Sequence, residues 1–404
     1  MKITIISLNF FPEDTAIGLY STQMAEFLSE KHQVEIITAF PYYPQWKIYA
    51  PYKNKRCLLK ESKGEMTIYR SKQYVPSHPS FFKRILLMLT FTFGALLNIF
   101  RLKNKPDLVI SAIPFTSSVL PALVSKWLYK SKIWVHIQDF EFDAAIESGL
   151  MGKSFFFKSV LLKIERFLIN KSDCASTISH SMLKKLQSKS SADTYFLPNW
   201  IDDSFSGNPI NGSHPYLDRS KFNVLYSGNI GEKQDWDFFL QVVELLSAYP
   251  DIIITVVGDG AKKKSLMNDC KDFTNVKFLS PVPFPELPSL LCSADVHILF
   301  QKNDVIDTVM PSKILGMLAS EKVSVVTGNK DSEVCSIFNR HQVGVFSSSG
   351  APGETASSIL SIQENPADFD KFRKNAGIYV RENFSKLKVL TKFRDKIEEI
   401  VSQP

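Results

Sequence analysis

The fold is decided by Asp295-Val-His-Ile-Leu-Phe-Gln-Lys302, then Val309-Met-Pro-Ser-Lys-Ile-Leu-Gly-Met-Leu-Ala-Ser320, then Lys322-Val-Ser-Val-Val326. Val296–Phe300 and Val323–Val326 are short runs of β-branched and aromatic residues, which predict two buried strands. Between them, apolar residues at helical spacing predict an amphipathic helix. Strand, loop, helix and strand in this order are typical of a crossover in a parallel sheet.

The start of that helix carries groups that suit an anion. Pro311 fits the first helical turn, where its missing N–H costs nothing. Ser312 and Lys313 add a hydroxyl and an ammonium to the free backbone N–H groups at the positive end of the helix. The residues indicate a site for a phosphate, or for a ribose and its diphosphate. An ordinary crossover helix that begins at a proline explains the same residues, so this stretch alone leaves both interpretations open.

Length and composition limit the class of protein. A chain of 404 residues is too long for one ordinary core, so two domains are expected. Its hydrophobic content of 44% is typical of soluble globular proteins. The five cysteines lie far apart, without a Cys-x-x-Cys pair, and indicate thiols of a reducing compartment. The first apolar run is short and leads into a Pro-Glu-Asp loop, so we interpret it as a strand of a cytoplasmic enzyme and not as a signal peptide.

Each half of the chain opens like a doubly wound α/β domain. A strand at Ile3–Leu8, a loop with Gly18, a helix to Leu28 and a strand at Val34–Ala39 begin the first half. The pattern restarts at Phe222, with further glycines at strand ends. The dinucleotide motif Gly-x-Gly-x-x-Gly is absent, which disfavours a nicotinamide dehydrogenase. The predicted domains are residues 1–203 and 204–380, with a linker in 204–215, followed by a C-terminal helix in 381–404 that returns to the first domain.

The N-terminal half has a basic balance and one very apolar segment. Residues 1–200 hold 26 Lys and Arg against 15 Asp and Glu, a net +11, whereas residues 201–404 have a net charge of −4. Ile85–Phe100 is uncharged and is flanked by Lys and Arg. At about 1.5 Å per residue it reaches about 24 Å, short of the roughly 30 Å of bilayer hydrocarbon. We predict that segment 81–105 lies on an anionic membrane surface, where Leu86, Leu87 and Phe91 would contact lipid. A helix or helix pair in the N-terminal core is an equally consistent interpretation.

Several ordered motifs resemble family-four retaining glycosyltransferases of the GT-B fold, and among them the colanic-acid-type sugar transferases of bacterial surface polysaccharide. The resemblance covers essentially the whole chain. The motifs are Asn9-Phe-Phe-Pro-Glu13, Ile17-Gly18, Pro41-Tyr-Tyr-Pro-Gln-Trp46, His136-Ile-Gln-Asp-Phe-Glu141, Phe196-Leu-Pro-Asn-Trp200, Leu225-Tyr-Ser-Gly-Asn-Ile-Gly-Glu-Lys-Gln234, Gln301-Lys302 and Met310-Pro-Ser-Lys-Ile-Leu-Gly-Met-Leu-Ala319.

The resemblance implies two facing Rossmann-like domains, with the sugar-nucleotide donor mainly on the C-terminal one and the acceptor on the N-terminal one. His136 near the sugar and Lys233 at the diphosphate would carry catalysis. The expected donor-binding residues are Gly18, Gly228, Asn229, Lys233, Gly258, Asp259, Val282, Asp307, Met310, Pro311, Ser312 and Lys313. For the acceptor we expect an aromatic loop and a strand end, namely Tyr42, Tyr43, Trp46, Asp139 and Glu141.

The chain departs from the broader family at three places. Its paired glutamates are replaced by Thr308 and Gly316, and Asp304 or Asp307 is the candidate substitute. Asn229 stands where an arginine is common. The usual Gly-x-Pro after the helix is Glu321-Lys-Val.

A possible metal motif has a simpler interpretation. Asp235-Trp-Asp237 has the Asp-x-Asp spacing of a different glycosyltransferase fold, but it falls at a predicted helix start. Aspartates there cap the helix and favour its dipole. We therefore expect no metal requirement and no cofactor.

The sequence predicts a retaining glycosyltransferase at the cytoplasmic face of the inner membrane. The enzyme would move a sugar from a GDP- or UDP-linked donor to a lipid-linked oligosaccharide in exopolysaccharide, capsule or O-antigen synthesis. Fucose from GDP-fucose is one candidate for the sugar. A nucleic acid is not among the expected partners. A sugar-nucleotide 2-epimerase of the same fold and a non-catalytic nucleotide-sugar-binding scaffold stay open as alternatives.

Overall fold

The computed structural model describes residues 1–14, 16–113, 116–140, 155–202, 205, 213–304, 312–348 and 350–403. The chain divides into two units. Unit 1 contains Met1–Pro198 and Leu390–Pro404, and unit 2 contains Asn199–Val389.

Unit 1 is built on an eight-stranded sheet in the order β3-β4-β2-β1-β5-β6-β7-β8. Seven strands are parallel, and β3 is an antiparallel edge strand. The strands are β1 (Lys2–Ser7), β2 (Gln33–Ala39), β3 (Leu58–Lys63), β4 (Met66–Ser71), β5 (Leu108–Ile113), β6 (Lys132–Ile137), β7 (Cys174–Thr177) and β8 (Asp193–Phe196). The helices are α1 (Ala16–Ser29), α2 (Phe81–Ile99), α3 (Val119–Tyr129), α4 (Phe155–Ile169) and α5 (His180–Lys189).

Unit 2 is built on a six-stranded parallel sheet in the order β11-β10-β9-β12-β13-β14. The strands are β9 (Phe222–Ser227), β10 (Ile252–Val257), β11 (Val276–Leu279), β12 (Val296–Phe300), β13 (Val323–Gly328) and β14 (Val345–Ser348). The helices are α6 (Trp236–Leu246), α7 (Lys263–Asp269), α8 (Leu287–Cys292), α9 (Ser312–Ala319), α10 (Glu333–His341), α11 (Pro352–Glu364) and α12 (Asp370–Asn383).

The stretch from Asp295 to Val326 forms the crossover that the sequence predicts. Val296 of β12 is in register with Val323 of β13, and α9 connects the two strands. Numbered within unit 2, the strand order is 3-2-1-4-5-6, the order of a dinucleotide-type sheet. The order reverses between β9 and β12. In sheets of this kind ligands bind at that point, beyond the carboxyl ends of the strands.

The unit boundary falls five residues earlier than the sequence suggests. Ile201 N donates to Phe384 O at 2.8 Å, and Lys386 N donates to Ile201 O at 2.9 Å. These backbone bonds tie the segment after Pro198 to unit 2. The predicted linker 204–215 lies largely outside the described residues.

The C-terminal helix α13 (Lys386–Ser402) begins in unit 2 and ends in unit 1. Its Phe393 is fully buried and meets the ring of Trp134 edge-on at 5.0 Å. Arg394 lies over the ring of Phe27 at 5.3 Å, and Glu398 contacts His32 at 3.0 Å. The helix from Leu390 onward is therefore part of the unit 1 core and its surface.

Helix α2 has two faces of unusual character. One face carries a stripe of small and polar residues, Gly94 and Asn98, which points inward. Asn98 is fully buried, and a Cβ at Gly94 would collide with Ser71 of β4. Its outer face is apolar, with exposed Phe82, Leu86, Leu89, Phe93, Leu97 and, at the C-cap, Phe100. By length and composition alone, Phe82–Ile99 would suffice to cross a membrane, but 44% of it is buried in the protein and core helices pass the same test.

Two of the three predicted lipid contacts lie on the covered face of this helix, so that prediction is wrong for them. Leu87 and Phe91 are 1% and 2% exposed, so they pack into unit 1, and only Leu86 of the three selected side chains is exposed. Apolar residues occupy both faces of α2, and the sequence therefore gives no indication of which face the sheet covers.

We expect Phe393→Ala to lower the free energy of unfolding by about 3–5 kcal/mol, because it removes a fully buried aromatic ring and leaves a cavity. The control is Leu387→Ala on the same helix, where the side chain is 59% exposed. Denaturant unfolding of both variants checks this. Equal stability of the two variants would contradict the role given to α13 in the unit 1 core.

Candidate functional site

The loops that follow β9 and β10 pack backbone against backbone. Gly228 N donates to Val257 O at 2.9 Å, and Gly228 has a φ of 144°, which favours glycine. Ile230 N donates to Asp259 O at 2.8 Å. A Cβ at Gly258 would lie 1.9 Å from Gly228 O, so a side chain there would push the loops apart. The residues predicted to bind the sugar-nucleotide donor at positions 228, 258 and 259 therefore lie together at the carboxyl edge of the sheet.

The Lys313 ammonium lies beside the first of these loops. Its Nζ donates to the Tyr226 hydroxyl at 2.8 Å and lies 4.6 Å from the centre of the Tyr226 ring. The hydroxyl donates in turn to Asn229 O at 2.6 Å. Burial lowers the pKa of Lys313 to about 8, because an ammonium is less stable as a cation when it is removed from water. One buried hydroxyl thus joins the start of α9 to the glycine loop.

Lys233 lies on an exposed segment between the glycine loop and α6. Lys302 N donates to Lys233 O at 3.2 Å, and Gln234 pairs with Gln301 in an antiparallel bridge. These bonds hold the segment against the end of β12. Lys233 and Lys313 thus belong to segments that follow the two strands at the switch point of the sheet.

The other residues predicted to bind the donor in unit 2 are partly described. Val282 lies half-buried in the loop after β11, and Ser312 is the first residue of α9. Gly316, where the broader family has a glutamate, is buried, and a Cβ there would lie 3.0 Å from Leu291. Asp307, Thr308, Met310 and Pro311 lie outside the described residues.

The Asp-x-Asp pair serves the helix, as predicted. Asp235 is the N-cap of α6, where its Oδ1 accepts from Phe238 N at 3.1 Å, and Asp237 lies in the first helical turn. Within the part of the chain that the structure describes, no group of three His, Cys, Asp or Glu side chains is arranged to hold a metal ion.

A buried carboxylate organises the corresponding edge of unit 1. Glu13, 2% exposed, accepts from Tyr42 N at 2.6 Å and Tyr43 N at 2.7 Å through Oε1, and from Asn9 Nδ2 at 3.0 Å through Oε2. Burial raises the pKa of Glu13, and the N–H donors oppose that rise. A Cβ at Gly18 would lie 2.7 Å from Glu13 O, so this close approach of the backbone requires glycine at position 18. Glu13 thus ties the loop after β1 to the loop after β2.

The aromatic loop after β2 contains the predicted acceptor residues. Tyr42 is buried, while Tyr43 and Trp46 are half-buried. The Trp46 ring meets Tyr42 at 5.6 Å and Tyr43 at 6.2 Å, both edge-on. Arg84, in the first turn of α2, lies 5.3 Å from the centre of the Trp46 ring. The loop is therefore packed upon itself and joined to the start of α2.

His136 is enclosed at the end of β6. It is 1% exposed, with Nδ1 at 2.9 Å from Ser176 Oγ and Nε2 at 2.9 Å from Gln138 Nε2. Trp134 Nε1 donates to the same Ser176 Oγ at 2.7 Å. An amide nitrogen can only donate, so Nε2 accepts from Gln138 and Nδ1 carries the proton. Burial lowers the pKa of His136 to about 3, which keeps the ring neutral at physiological pH. Contact with a sugar would require Gln138 to move.

The remaining acceptor residues lie beyond this strand. Asp139 is half-buried, two residues after the end of β6. Glu141 lies outside the described residues.

Comparison with known proteins identifies the family. A family model described as "Glycosyl transferases group 1" matches residues 221–365. WcaI of Escherichia coli (strain K12), whose name describes a colanic acid biosynthesis glycosyl transferase, is 33% identical over 348 residues, which cover 83% of this chain and 85% of WcaI. The chain belongs to the group 1 glycosyl transferases.

Solved structures show the fold of this glycosyl transferase. Sucrose-phosphate synthase of Thermosynechococcus elongatus has a TM-score of 0.74 at 12% identity, with both chains covered completely. Anabaena HepE in complex with UDP-glucose has a TM-score of 0.65 at 14% identity, covering 99% of this chain and 100% of HepE. The two α/β units match the GT-B fold, and the fold class predicted from the sequence is confirmed.

Three buried side chains of the glycosyl transferase were not selected by sequence reasoning. Glu13 and Tyr226 stand inside motifs that carry the family resemblance, and that membership was the available signal. Arg70 of β4 is fully buried and bonds to Ala39 O at 3.2 Å and to Phe11 O. It lies in the β3–β4 hairpin, which the sequence pattern did not reveal.

We expect the stability of the glycosyl transferase to depend on pH through His136. Its folded pKa lies below the value of about 6.5 in an unfolded chain, so the stabilisation is complete above pH 6.5 and is lost as the pH falls toward 3. Between pH 7 and pH 5 the loss is about 2 kcal/mol. In His136→Asn, whose amide can still donate to Ser176, this part of the pH dependence should disappear.

The control is His78→Asn, at an exposed position. Denaturant unfolding of the wild type and both variants at pH 7 and pH 5 provides the measurement. An unchanged difference between the two pH values in His136→Asn would contradict the assignment.

Proposed function

We propose that the protein transfers a sugar, with retention at the anomeric carbon, from a nucleoside diphosphate donor to a lipid-linked oligosaccharide. The product would serve bacterial surface polysaccharide synthesis, as the name of its relative WcaI suggests. One observation carries the proposal: two glycine loops, an exposed lysine and the start of α9 with its own lysine meet at the switch point of one sheet. HepE, which shares the fold, was solved with UDP-glucose bound, and this supports a donor of the same chemical class.

Each part of this edge has a task in binding a diphosphate. Backbone N–H groups and a helix start favour anions, and glycine lets the backbone approach a ligand closely. Lys233, on its exposed segment, is free to turn toward a phosphate. Val282, on the loop after β11, is proposed to contact the base. Ser312 is proposed to bind the ribose or the diphosphate.

The proposed chemistry is a substitution at the anomeric carbon on the face that the diphosphate leaves. The bond from the anomeric carbon to the phosphate oxygen breaks, and a bond to the acceptor oxygen forms. The departing phosphate oxygen takes the proton of the acceptor hydroxyl. Lys233 and the N–H groups of the loop would stabilise the charge that develops on the diphosphate. The proposal assigns this charge neutralisation to the protein and includes no metal.

The unit 1 residues complete the proposal on the acceptor side. Tyr43 and Trp46 offer aromatic edges for a sugar. His136, as a neutral ring at the end of β6, is proposed to position a hydroxyl once Gln138 moves away from its Nε2.

A lipid-linked acceptor requires the enzyme to work at a membrane surface. The outer face of α2 supports this, since it exposes apolar side chains along its whole length. Helix α3 packs against α2. Trp127 of α3 is 82% exposed, and Phe167 of α4, which packs on α3, is 58% exposed. Neither α2 nor α3 contains Asp or Glu. Nearby Lys and Arg residues complement anionic headgroups. We propose peripheral binding to the cytoplasmic face of the inner membrane through this surface, which we call the α2–α4 face.

We expect Lys233→Ala to lower the rates of transfer and of donor hydrolysis sharply, because the developing diphosphate charge loses its cation. Loss of a charged partner typically costs about 2–4 kcal/mol, or roughly 30- to 1000-fold in turnover. Lys264→Ala, at an exposed position in α7, is the control. Titration calorimetry with GDP and UDP, followed by assays of a donor panel with lipid-linked acceptors, gives the measurement.

Wild-type turnover in Lys233→Ala would remove that residue from the mechanism. A wild-type protein that binds GDP or UDP but neither hydrolyses nor transfers any donor would favour the scaffold alternative.

We expect the combined substitution of Leu86, Leu89 and Phe93 by serine to weaken binding to phosphatidylglycerol vesicles by at least about a hundredfold, since each buried apolar side chain contributes about 1.5–3 kcal/mol. The matched control replaces three apolar residues of unit 2 with similar exposure, Leu245, Tyr249 and Met267. Co-sedimentation with vesicles measures both. Equal sedimentation of the two variants would refute membrane binding through the α2–α4 face.

A further inference from the structure

Tyr226 of β9 lies buried beneath the proposed donor edge, the carboxyl edge of the unit 2 sheet with the loops at residues 228–233 and 258–260 and the start of α9. The side chain is 2% exposed, and its ring meets Trp236 edge-on at 5.1 Å. Trp236 Nε1 donates to Gly231 O at 2.8 Å, which fixes the far end of the glycine loop. The Tyr226 hydroxyl fixes the near end, through its 2.6 Å bond to Asn229 O.

The same hydroxyl sets the position of the Lys313 ammonium. A hydroxyl donates one hydrogen bond, and here that bond goes to Asn229 O, so toward Lys313 the oxygen acts as the acceptor. The ammonium lies against the loop itself, because a Cβ at Gly228 would stand 3.1 Å from Lys313 Nζ. An ammonium has three N–H donors. Among the described residues, the Tyr226 hydroxyl oxygen is the one side-chain atom that accepts a hydrogen bond from the Lys313 ammonium.

These observations indicate that Tyr226 acts on the sugar-nucleotide donor through Lys313. We infer that Tyr226 is a positioning residue: its hydroxyl holds the Lys313 ammonium beside the glycine loop, with N–H donors available to the diphosphate of the nucleotide. The inference rests on the proposed function, because it takes the nucleoside diphosphate as the ligand of this edge.

The charge of Lys313 makes this coupling measurable. Burial lowers the pKa of the ammonium to about 8, and the one titratable described side chain recorded in contact with it, Tyr226, has its own pKa raised by burial and stays neutral. A bound diphosphate favours the charged form of the lysine. Nucleotide binding above pH 8 should therefore be accompanied by uptake of a proton. Phosphate groups themselves titrate near pH 6, outside that range.

The experiment is titration calorimetry with UDP and with GDP between pH 7 and pH 9.5, in buffers of different ionisation enthalpy. For the wild type we expect uptake of up to one proton and an affinity that falls above pH 8. Tyr226→Phe should bind about tenfold more weakly, as expected for loss of a hydrogen bond to a charged group. Its affinity should begin to fall at a lower pH, because the ammonium has lost its acceptor. Tyr249→Phe, at a 42% exposed position, is the control.

Two further variants test the lysine without altering the tyrosine. Lys313→Met should lose both affinity and proton uptake, whereas Lys313→Arg, which stays charged, should bind the nucleotide without proton uptake. A wild-type pH profile and affinity in Tyr226→Phe would overturn the inference, as would proton uptake that persists in Lys313→Met. Nucleotide binding by the wild type without any proton uptake would overturn the inference alone. If the wild type binds neither nucleotide, the proposed donor class fails as well.

Discussion

The hydrogen bonds of the Tyr226 hydroxyl are the constraint on which the carboxyl edge of the unit 2 sheet depends. Within the part of the chain that the structure describes, the segments that follow β9 and β12 are joined by short backbone contacts such as the Gln234–Gln301 bridge. A hydroxyl that donates to one segment and accepts from the other joins them through a single buried oxygen. A buried polar group left without a partner costs about 1–3 kcal/mol. Loop arrangements that break these two hydrogen bonds are therefore disfavoured.

In unit 1 a carboxylate joins two loops in a similar way. Glu13 receives the backbone N–H groups of Tyr42 and Tyr43 and the amide of Asn9, which together oppose the cost of burying its charge. In both units one buried polar side chain therefore fixes two loops at the carboxyl edge of a parallel sheet. Loops positioned in this way by a rigid scaffold are where binding residues are usually found.

Helix α2 connects the aromatic loop to the apolar surface of unit 1. Arg84, in the first turn of α2, lies over Trp46 in that loop. The same helix turns its small and polar stripe toward β4 and its large apolar side chains outward. An outward apolar face beside a loop of aromatic rings is consistent with the proposed acceptor, a sugar linked to a lipid.

The sequence by itself determined the α/β class, the crossover at Val296–Val326, the capping role of Asp235 and the family, because periodicity, turn residues and ordered motifs are local features. Only the tertiary structure decided how the site residues are bonded. Tyr226 reaches Lys313 across 87 positions of the chain, and Glu13 reaches Tyr42 across 29, so neither pairing leaves a local pattern. The covered face of α2 was likewise undecided, because apolar residues occur on both of its sides. Which face is buried depends on the sheet that packs against it, and that sheet is assembled from strands distant in sequence.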